Sequence, residues 1–572
     1  MTRGMRKGLT SYGDPDFSLF LRKAFIKAMG LSDDALSRPV IGIANTFSDY
    51  NACHGNAPQL VEAIKRGVML AGGLPMEFPT ISIHESFAHP TSMFLRNLMA
   101  MDTEEMIRAQ PMDSVVLIGG CDKTIPAQLM ACASADVPAV VVPVGPMLVG
   151  HYQGEVLGAC TDCRRLWGEH RGGRIDARAI EQINGRLAPT PGTCMVMGTA
   201  STMACIVEAM GLALPLAGTI PATHADRLRC AEASGQVATA MAQGDGPKPS
   251  HLMTPAAFRN AMVVMQAIGG STNGLIHLAA VAGRLGIPID LAEFDRLGRE
   301  VPVLVDLKPS GSHYMEHFHW AGGVPRLLRE LQDFLDLDAP TVTGGTLRDA
   351  MLAAEDVRGQ DVIRSCANPI KACGSMAVLH GNLAPRGALI KQSAASPALT
   401  THTGRAVVFE SVQDLTQRID DPALDVAADD VLVLRNAGPK GAPGMPEAGY
   451  LPIPRKLAQQ GVKDMVRISD ARMSGTAFGT IVLHIAPESA VGGPLALVRN
   501  GDRIVLDLAR RRIDLLVDDA ELERRRQQLA AAAPAEPQEP LRGYAALFHR
   551  SVLQADEGCD FDFMVPGRKG EA

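Results

Sequence analysis

Cysteine, aspartate and lysine stand side by side in the glycine-rich stretch of residues 119–124, as Cys121, Asp122 and Lys123. A thiolate is a soft ligand that suits iron–sulfur centres, whereas a carboxylate is a hard ligand that suits magnesium. One short turn can therefore hold a soft iron centre next to a hard cation. Taken alone, the turn fits a structural role or an unrelated ligand equally well, because glycine-rich turns with one cysteine are common in α/β proteins.

The same local placement recurs at other residues in the first third of the chain. A predicted strand ends just before Cys121 and a predicted helix begins just after it. Cys53, Glu85 and Cys194 are each predicted to precede a helix, and Cys53 and Glu85 also to follow a strand. In open parallel sheets, ligands bind at the carboxyl ends of the strands, where helix dipoles favour anionic side chains. This recurrence is the strongest physical signal for a ligand site.

The three cysteines Cys53, Cys121 and Cys194 are widely spaced along the chain. Zinc ribbons and ferredoxin-type carriers bring their ligands in close pairs or runs. Three thiolates would leave one iron of a cluster without a full set of protein ligands, available as a Lewis acid. That arrangement is typical of an enzyme rather than of an electron carrier.

The elements that position these residues are predicted to form an α/β fold. A large N-terminal α/β region with a parallel sheet is predicted for residues 1–385. Short β-type runs between glycine- and proline-rich loops then predict a smaller β-rich, barrel-like C-terminal domain for residues 386–572. Residues 530–540, rich in alanine and proline, are predicted to be a linker. Residues 269–273 open a further helix and fit either a tightly packed cap or a carboxylate or phosphate site.

Composition excludes several classes of function. The 572 residues are 46% hydrophobic and 20% charged, which is ordinary for a folded protein. A net charge of −7 without a basic run argues against nucleic acid or an anionic membrane as a partner. The most apolar stretch, residues 137–149, is short and interrupted by prolines, and the N-terminus lacks the apolar core of a signal peptide. Eleven cysteines without an export signal then predict reduced thiols and a cytoplasmic protein.

Five motifs together resemble those of the family of dihydroxy-acid dehydratases and sugar-acid (aldonate, phosphogluconate) dehydratases. They are residues 51–54, 120–124, 192–194, 438–447 and 469–475. The motifs span most of the chain in the order that the family has, and together they are highly specific. The resemblance is strongest to the pentonate and hexonate dehydratases.

The resemblance implies two inorganic cofactors. An iron–sulfur cluster would be held by Cys53, Cys121 and Cys194. Three cysteines fit a two-iron or a four-iron cluster, and the two-iron form is the preferred prediction. Magnesium would be held by acidic residues and a carbamylated lysine, which map onto Glu85, Asp122, Lys123 and Glu447. Carbamylation would convert a cation that repels Mg²⁺ into an oxygen ligand that suits it.

The resemblance also implies a mechanism and an assembly. Ser474 matches the family's catalytic base, which removes the C2 proton of a hydroxy acid, and Thr476 is a candidate for positioning the substrate. The C3 hydroxyl leaves as water at the open iron, and the enol becomes a 2-keto-3-deoxy acid without net redox chemistry. The partner is a small hydroxy acid, and the family favours a homodimer or homotetramer.

The predicted substrate is a sugar acid rather than the branched dihydroxy acid of valine and isoleucine synthesis. The branched-chain enzymes usually have an aspartate in a Ser-Asp context, where this chain has His84, Glu85 and Ser86, and residues 195–201 resemble the aldonate enzymes. A branched-chain dihydroxy-acid dehydratase remains the alternative. A different class, an iron–sulfur redox or sensor protein, leaves the carboxylates and Lys123 without a role.

The remaining cysteines and histidines receive weaker predictions. Cys132 and Cys205 are predicted to be core residues inside helices. Cys160 and Cys163 have the spacing of a redox motif, but a lone pair of this kind is a weak signal. The spacing of His84 and the other histidines along the sequence is not sufficient to predict that they bind a metal.

Overall fold

The computed structural model describes residues 3–244, 246–531 and 541–567. The predicted linker at residues 530–540 lies outside the described residues, apart from its first two positions, which end a helix. None of the helices in these ranges is both long and apolar enough to cross a bilayer.

Four parallel strands form the N-terminal sheet. The sheet strands are β1 Val40–Asn45, β2 Leu74–Pro79, β3 Ser114–Gly119 and β4 Ala139–Pro143, and a separate hairpin consists of β5 Gly150–Tyr152 and β6 Glu155–Leu157. The sheet order is β2-β1-β3-β4. Strands β3 and β4 are buried along their whole length, as expected for a parallel sheet covered on both faces. The predicted α/β region with a parallel sheet is confirmed.

Strand β2 lies earlier than the strand predicted before Glu85. It ends at Pro79, and an irregular loop then leads through Glu85 to the next helix. Two prolines in β2 are tolerated because β2 is an edge strand that pairs only with β1. Glu85 still follows the carboxyl end of a strand, at a greater distance than expected.

Helices cover the sheet and link it to the rest of the chain. They are α1 Pro15–Lys27, α2 Asp33–Ser37, α3 Ala57–Leu70, α4 Ser92–Ala109, α5 Thr124–Ala135, α6 Thr161–Arg171, α7 Ala177–Asn184, α8 Thr199–Ala209, α9 Ala225–Gly244, α10 Pro249–Leu252, α11 Pro255–Ala267, α12 Asn273–Arg284, α13 Leu291–Glu300, α14 Met315–Trp320, α15 Gly323–Glu330, α16 Leu347–Leu352, α17 Val412–Arg418, α18 Arg455–Gln459, α19 Asp519–Ala531 and α20 Gly543–Ser551. Helix α3 packs on α9, and α4 packs on α5. Cys132 and Cys205 lie in the buried faces of α5 and α8, so the prediction that they are core residues is confirmed.

The C-terminal strands close into a barrel. They are β7 Ala377–Gly381, β8 Ala384–Ile390, β9 Thr401–Phe409, β10 Val431–Leu434, β11 Arg467–Ser469, β12 Ile481–Leu483, β13 Arg503–Asp507 and β14 Arg512–Leu515. Their order around the barrel is β10-β11-β12-β8-β7-β14-β13-β9. Apolar side chains that include Val408, Val433 and Ile504 form its core. The barrel-like prediction is confirmed, whereas the predicted division at residue 385 stays a prediction, and β8 spans that position.

Loops of the barrel pack against the N-terminal region. Thr91, just before α4, donates a hydrogen bond to the carbonyl of Gly444 at 3.2 Å. Asn273, the first residue of α12, donates to the carbonyl of Met473 at 2.9 Å. The loops after β10 and β11 therefore contact the N-terminal ends of two helices, α4 and α12. One of them, α4, follows the carboxyl end of the parallel strand β2 along the chain.

Candidate active site

Cys121 lies in the tight turn between β3 and α5. Its backbone N–H donates to His54 Nε2 at 2.9 Å, and His54 Nδ1 contacts the carbonyl of Thr46 at 2.9 Å. Because the carbonyl can only accept, Nδ1 carries the proton and Nε2 is the acceptor. Burial lowers the pKa of His54 to about 4, so the ring is neutral at physiological pH. His54 thus orients the cysteine turn from the loop after β1.

The structure brings together the three cysteines that the sequence singles out and adds a fourth. The Sγ atoms of Cys53 and Cys121 lie within 4.8 Å of each other. The Sγ of Cys194 lies 3.3 Å from that of Cys160. A hydrogen bond with Cys160, burial, and the nearby Cys160 and Cys53 thiols raise the pKa of Cys194. The four thiols therefore form one neighbourhood of soft donors.

A second group of donors consists of carboxylates and adjoins the thiols through the Cys121–Asp122 bond. Oxygens of Glu85, Asp122 and Glu447 lie within 4.8 Å of one another. The Lys123 ammonium lies 3.2 Å from Glu85 Oε2 and 3.8 Å from Asp122 Oδ2. Three oxygen donors at this spacing match the ligands that Mg²⁺ prefers. All four residues predicted for the magnesium site thus lie together.

Arg472 joins the two parts of the chain that supply these carboxylates. Its Nη1 lies 2.6 Å from Glu447 Oε1, and its Nη2 lies 3.1 Å from Glu85 Oε1. Burial alone would raise the pKa of Glu85, but Arg472 and Lys123 lower it. Burial and the neighbouring Glu85 raise the pKa of Glu447 to about 7. Two cations therefore face three carboxylates, so one negative charge is left for a further cation to balance when all three carboxylates are ionised.

Ser474 and Thr476 lie in the turn after β11, and their hydroxyl oxygens are 2.8 Å apart. The turn is held from two sides. Asn273 donates to the carbonyl of Met473, and the hydroxyl of Thr161 donates to the carbonyl of Thr476 at 3.0 Å. These tethers fix the backbone on both sides of the Ser474 hydroxyl, so its position is set by the packing of α6 and α12 against the turn.

Gly475 lies between these two hydroxyl residues because the turn is too crowded for a side chain. A Cβ at this position would lie 2.5 Å from Ser271 Oγ and 2.8 Å from the backbone nitrogen of Thr199. Ser271 and Thr199 also bond to each other at 2.9 Å. Residues 271 and 273 thus pack against the turn, as the tightly packed interpretation of residues 269–273 predicts, and the carboxylate or phosphate site stays a prediction.

Lys391 is a buried lysine beside this turn that the sequence analysis did not identify. It follows β8, is 1% exposed, and donates to the carbonyl of Gly475 at 3.3 Å. Burial lowers its pKa to about 7, and no charged side chain in the described part of the chain offsets that effect. A lysine directly after the apolar run of residues 388–390 is the only sequence signal that could have indicated it.

Sequence reasoning also missed Arg472 and Cys160 as members of this neighbourhood, and it named His84 only in the segment that favours a sugar-acid substrate. A ring nitrogen of His84 lies within 4.8 Å of the Cys53 and Cys121 sulfurs. The backbone N–H of Ser86 donates to His84 Nδ1 at 3.1 Å. The available signals were the position of His84 next to Glu85, that of Arg472 inside a motif, and the cysteine spacing at residues 160–163.

The two donor sets fit different inorganic groups. Thiolates are the ligands of iron–sulfur clusters, and closely spaced carboxylates are ligands of hard divalent cations. The thiols meet the carboxylates at Cys121 and Asp122, and the Ser474 turn approaches through Arg472, which is bonded to Glu447 and Glu85. The chemistry of the donors therefore fits both groups expected from the sequence.

Comparisons with known proteins agree over nearly the whole chain. Residues 38–350 match the family model described as dihydroxy-acid/6-phosphogluconate dehydratase N-terminal, and residues 361–559 match its C-terminal counterpart. L-arabonate dehydratase from Azospirillum brasilense is 48% identical over 98% of this chain and 97% of its own length. 6-deoxy-6-sulfo-D-gluconate dehydratase from Pseudomonas putida is 45% identical over 96% and 94%. A dihydroxy-acid dehydratase from Syntrophobacter fumaroxidans is 39% identical over 97% and 98%. The chain belongs to the dihydroxy-acid/6-phosphogluconate dehydratase family.

Proposed function

We propose that this protein is a hydro-lyase that dehydrates a sugar acid to a 2-keto-3-deoxy sugar acid. The observation that carries the proposal is the junction of a thiol set and a carboxylate set at Cys121 and Asp122, beside the Ser474 turn. A redox or sensor protein has no use for the carboxylates, for Lys123 or for a serine–threonine pair. A dehydratase has a use for each of them.

In this proposal, Cys53, Cys121 and Cys194 hold an iron–sulfur cluster, and Glu85, Asp122, Lys123 and Glu447 hold magnesium. When bound, the two groups would supply Lewis acidity toward hydroxyl and carboxylate oxygens of the substrate. His54 supports the cluster ligands by accepting the Cys121 N–H. Arg472 holds Glu85 and Glu447 next to each other through one ion pair to each, although they come from distant parts of the chain.

Carbamylation of Lys123 is part of the proposal. As an ammonium, Lys123 forms ion pairs with Glu85 and Asp122 and so competes with a metal for their oxygens. As a carbamate, it would carry a negative charge and offer oxygen donors from the same buried position. The local charge would then change from −1 to −3, which favours a divalent cation. Native mass spectrometry of the folded protein at neutral pH in bicarbonate should show the added mass of carbon dioxide in wild type and not in Lys123→Met.

Ser474 acts as the base toward the C2 proton of the substrate. Thr476 lies at hydrogen-bond distance from Ser474 Oγ, so its hydroxyl can donate to the serine oxygen when that oxygen is negatively charged. The tethers from Asn273 and Thr161 hold the turn in place. Because the turn is tightly packed, little motion is needed before proton transfer, and positioning of this kind lowers the barrier.

The proposed substrate class is an aldonate. The L-arabonate dehydratase and the 6-deoxy-6-sulfo-D-gluconate dehydratase are 48% and 45% identical to this chain, whereas the dihydroxy-acid dehydratase is 39% identical. The segment around His84, Glu85 and Ser86 also differs from the branched-chain pattern. Polar groups there can pair with the extra hydroxyls of a sugar acid, and each unpaired buried group would cost about 1–3 kcal/mol.

An activity screen tests the proposal. Protein purified without oxygen should dehydrate at least one of arabinonate, xylonate, galactonate, fuconate or gluconate with a higher kcat/KM than 2,3-dihydroxyisovalerate. Ser474→Ala, prepared in the same way, is the control for adventitious catalysis. The reverse preference, in protein with full iron and sulfide, would assign the enzyme to branched-chain amino-acid synthesis instead.

A further inference from the structure

Cys160 is a fourth thiol at the site proposed for the cluster. Its Sγ lies 3.3 Å from that of Cys194, one of the three cysteines expected to bind iron. The proposed mechanism does not use Cys160, and its sequence context indicates only a weak redox motif.

The segment that carries Cys160 is held firmly against the site. Cys160 directly precedes α6, whose first residue, Thr161, is hydrogen-bonded to the Ser474 turn. The second residue of α6, Asp162, is buried and accepts from the Gly158 N–H at 2.8 Å and from Lys308 Nζ at 2.9 Å. These bonds fix the backbone on both sides of Cys160. The fold therefore fixes the position of Cys160 next to Cys194.

The four sulfurs form two pairs, Cys53 with Cys121 and Cys160 with Cys194. Two thiolates on one tetrahedral ion with bonds of about 2.3 Å lie about 3.8 Å apart. The Cys160–Cys194 separation of 3.3 Å is near this value. A two-iron cluster takes two cysteines on each iron, whereas a four-iron cluster takes one on each. The pairing matches the two-iron arrangement.

We infer that Cys160 is the fourth thiolate ligand of a two-iron cluster in the resting enzyme and yields its position when substrate binds. This inference rests on the proposed function. The exchange would break the iron–sulfur bond to Cys160 and form a bond from a substrate hydroxyl oxygen to the iron. The freed Cys160 thiolate would take the proton that this hydroxyl releases, so no electron would be gained or lost. An iron that carries the Cys160 thiolate as its fourth ligand would be shielded from water and oxygen between turnovers. The rival interpretation is a dithiol of Cys160 and Cys163, since Cys163 Sγ donates to the Cys160 carbonyl at 2.7 Å.

The test compares wild type, Cys160→Ser and the control Cys230→Ser, all loaded with ⁵⁷Fe and purified without oxygen. Cys230 lies in α9 and is partly buried, so Cys230→Ser shows the effect of losing one partly buried thiol at another position. Iron and sulfide are counted, and Mössbauer spectra report the ligands of each iron. In wild type and Cys230→Ser, we expect both irons to have four sulfur ligands. In Cys160→Ser, about half of the iron should show a non-sulfur ligand, because one iron of two is affected.

The outcomes separate the inference from the proposed function. Full iron with identical spectra for wild type and Cys160→Ser would overturn the role of Cys160 and leave the dehydratase proposal intact. Absence of iron and sulfide from wild type would overturn both. If Cys160→Ser does not fold, the wild-type spectrum decides, since an iron with a non-sulfur ligand in the resting enzyme excludes the fourth thiolate.

Two measurements on wild type complete the test. Adding the aldonate that the activity screen identifies should give about half of the iron a non-sulfur ligand, and an unchanged spectrum in active protein would overturn the displacement. Iodoacetamide should modify Cys160 only after the cluster is removed by a chelator. A Cys160–Cys163 disulfide in the freshly purified holoprotein, found by peptide mass spectrometry, would favour the redox pair and refute the ligand role.

Discussion

Replacement of Lys391 by methionine is expected to change how the stability of the protein depends on pH. The two side chains are both long and unbranched, so the variant mainly removes a charge. Lys391 is buried against the Gly475 carbonyl, and burial lowers its pKa from 10.5 to about 7. The folded wild type therefore binds fewer protons at this site than the unfolded chain does between those two pH values.

The sign and size follow from proton linkage. Where the unfolded state binds more protons, the free energy of unfolding rises with pH. The burial of Lys391 thus costs most below about pH 7, and this cost declines to zero as the pH approaches 10.5. One pKa unit corresponds to about 1.4 kcal/mol, so the full difference is about 5 kcal/mol. Over a working range of about pH 7 to 9, the expected change is about 2.5 kcal/mol.

Urea unfolding followed by circular dichroism at several pH values measures this change. The free energy of unfolding of wild type should rise relative to that of Lys391→Met as the pH increases, and the variant should be the more stable protein near pH 7. Lys463 is exposed, so the free energy of unfolding of the control variant Lys463→Met should depend on pH in the same way as that of wild type. Parallel curves for wild type and Lys391→Met would refute the reasoning, because they would mean that Lys391 titrates equally in the folded and unfolded states.

Three further predictions concern the proposed chemistry. Ser474→Ala should retain iron and magnesium yet lose about 10²- to 10⁴-fold in kcat, as expected when a positioned base is removed; near-normal turnover would place the base elsewhere. Glu447→Gln should need about tenfold or more magnesium for half-maximal activity, because one charge leaves a hard-cation site; identical titrations would remove Glu447 from that site. Cys53→Ser should lose iron and colour, whereas Cys132→Ser, buried in α5, should keep both; a colourless Cys132→Ser beside a coloured Cys53→Ser would overturn the ligand assignment.

Local features of the fold could be predicted from the sequence because they depend on neighbouring residues. The apolar run of β3, the glycines after it and the helix-forming residues of α5 placed Cys121 in a strand-to-helix turn. Short apolar runs between glycine and proline loops predicted the barrel. The strand before Glu85 was misplaced because the actual strand, β2, contains two prolines. An edge strand tolerates proline, but the pattern of apolar residues does not indicate which strand will lie at the edge.

The motifs predicted which residues belong to the site, whereas only the tertiary structure shows how those residues are arranged. Motif resemblance assigned Glu447 and Glu85 to one site, but only the packing of barrel loops on the sheet put Arg472 between them. Cys160 and Lys391 reach the site because α6 and β8 pack there, and no pattern within a few residues encodes that contact. Periodicity and turn chemistry determine local conformation, whereas contacts between distant segments depend on how whole elements pack. The sequence by itself therefore determined the strand-to-helix turn at Cys121 and the barrel, and tertiary packing decided which thiol faces Cys194 and which lysine bonds to the Gly475 carbonyl.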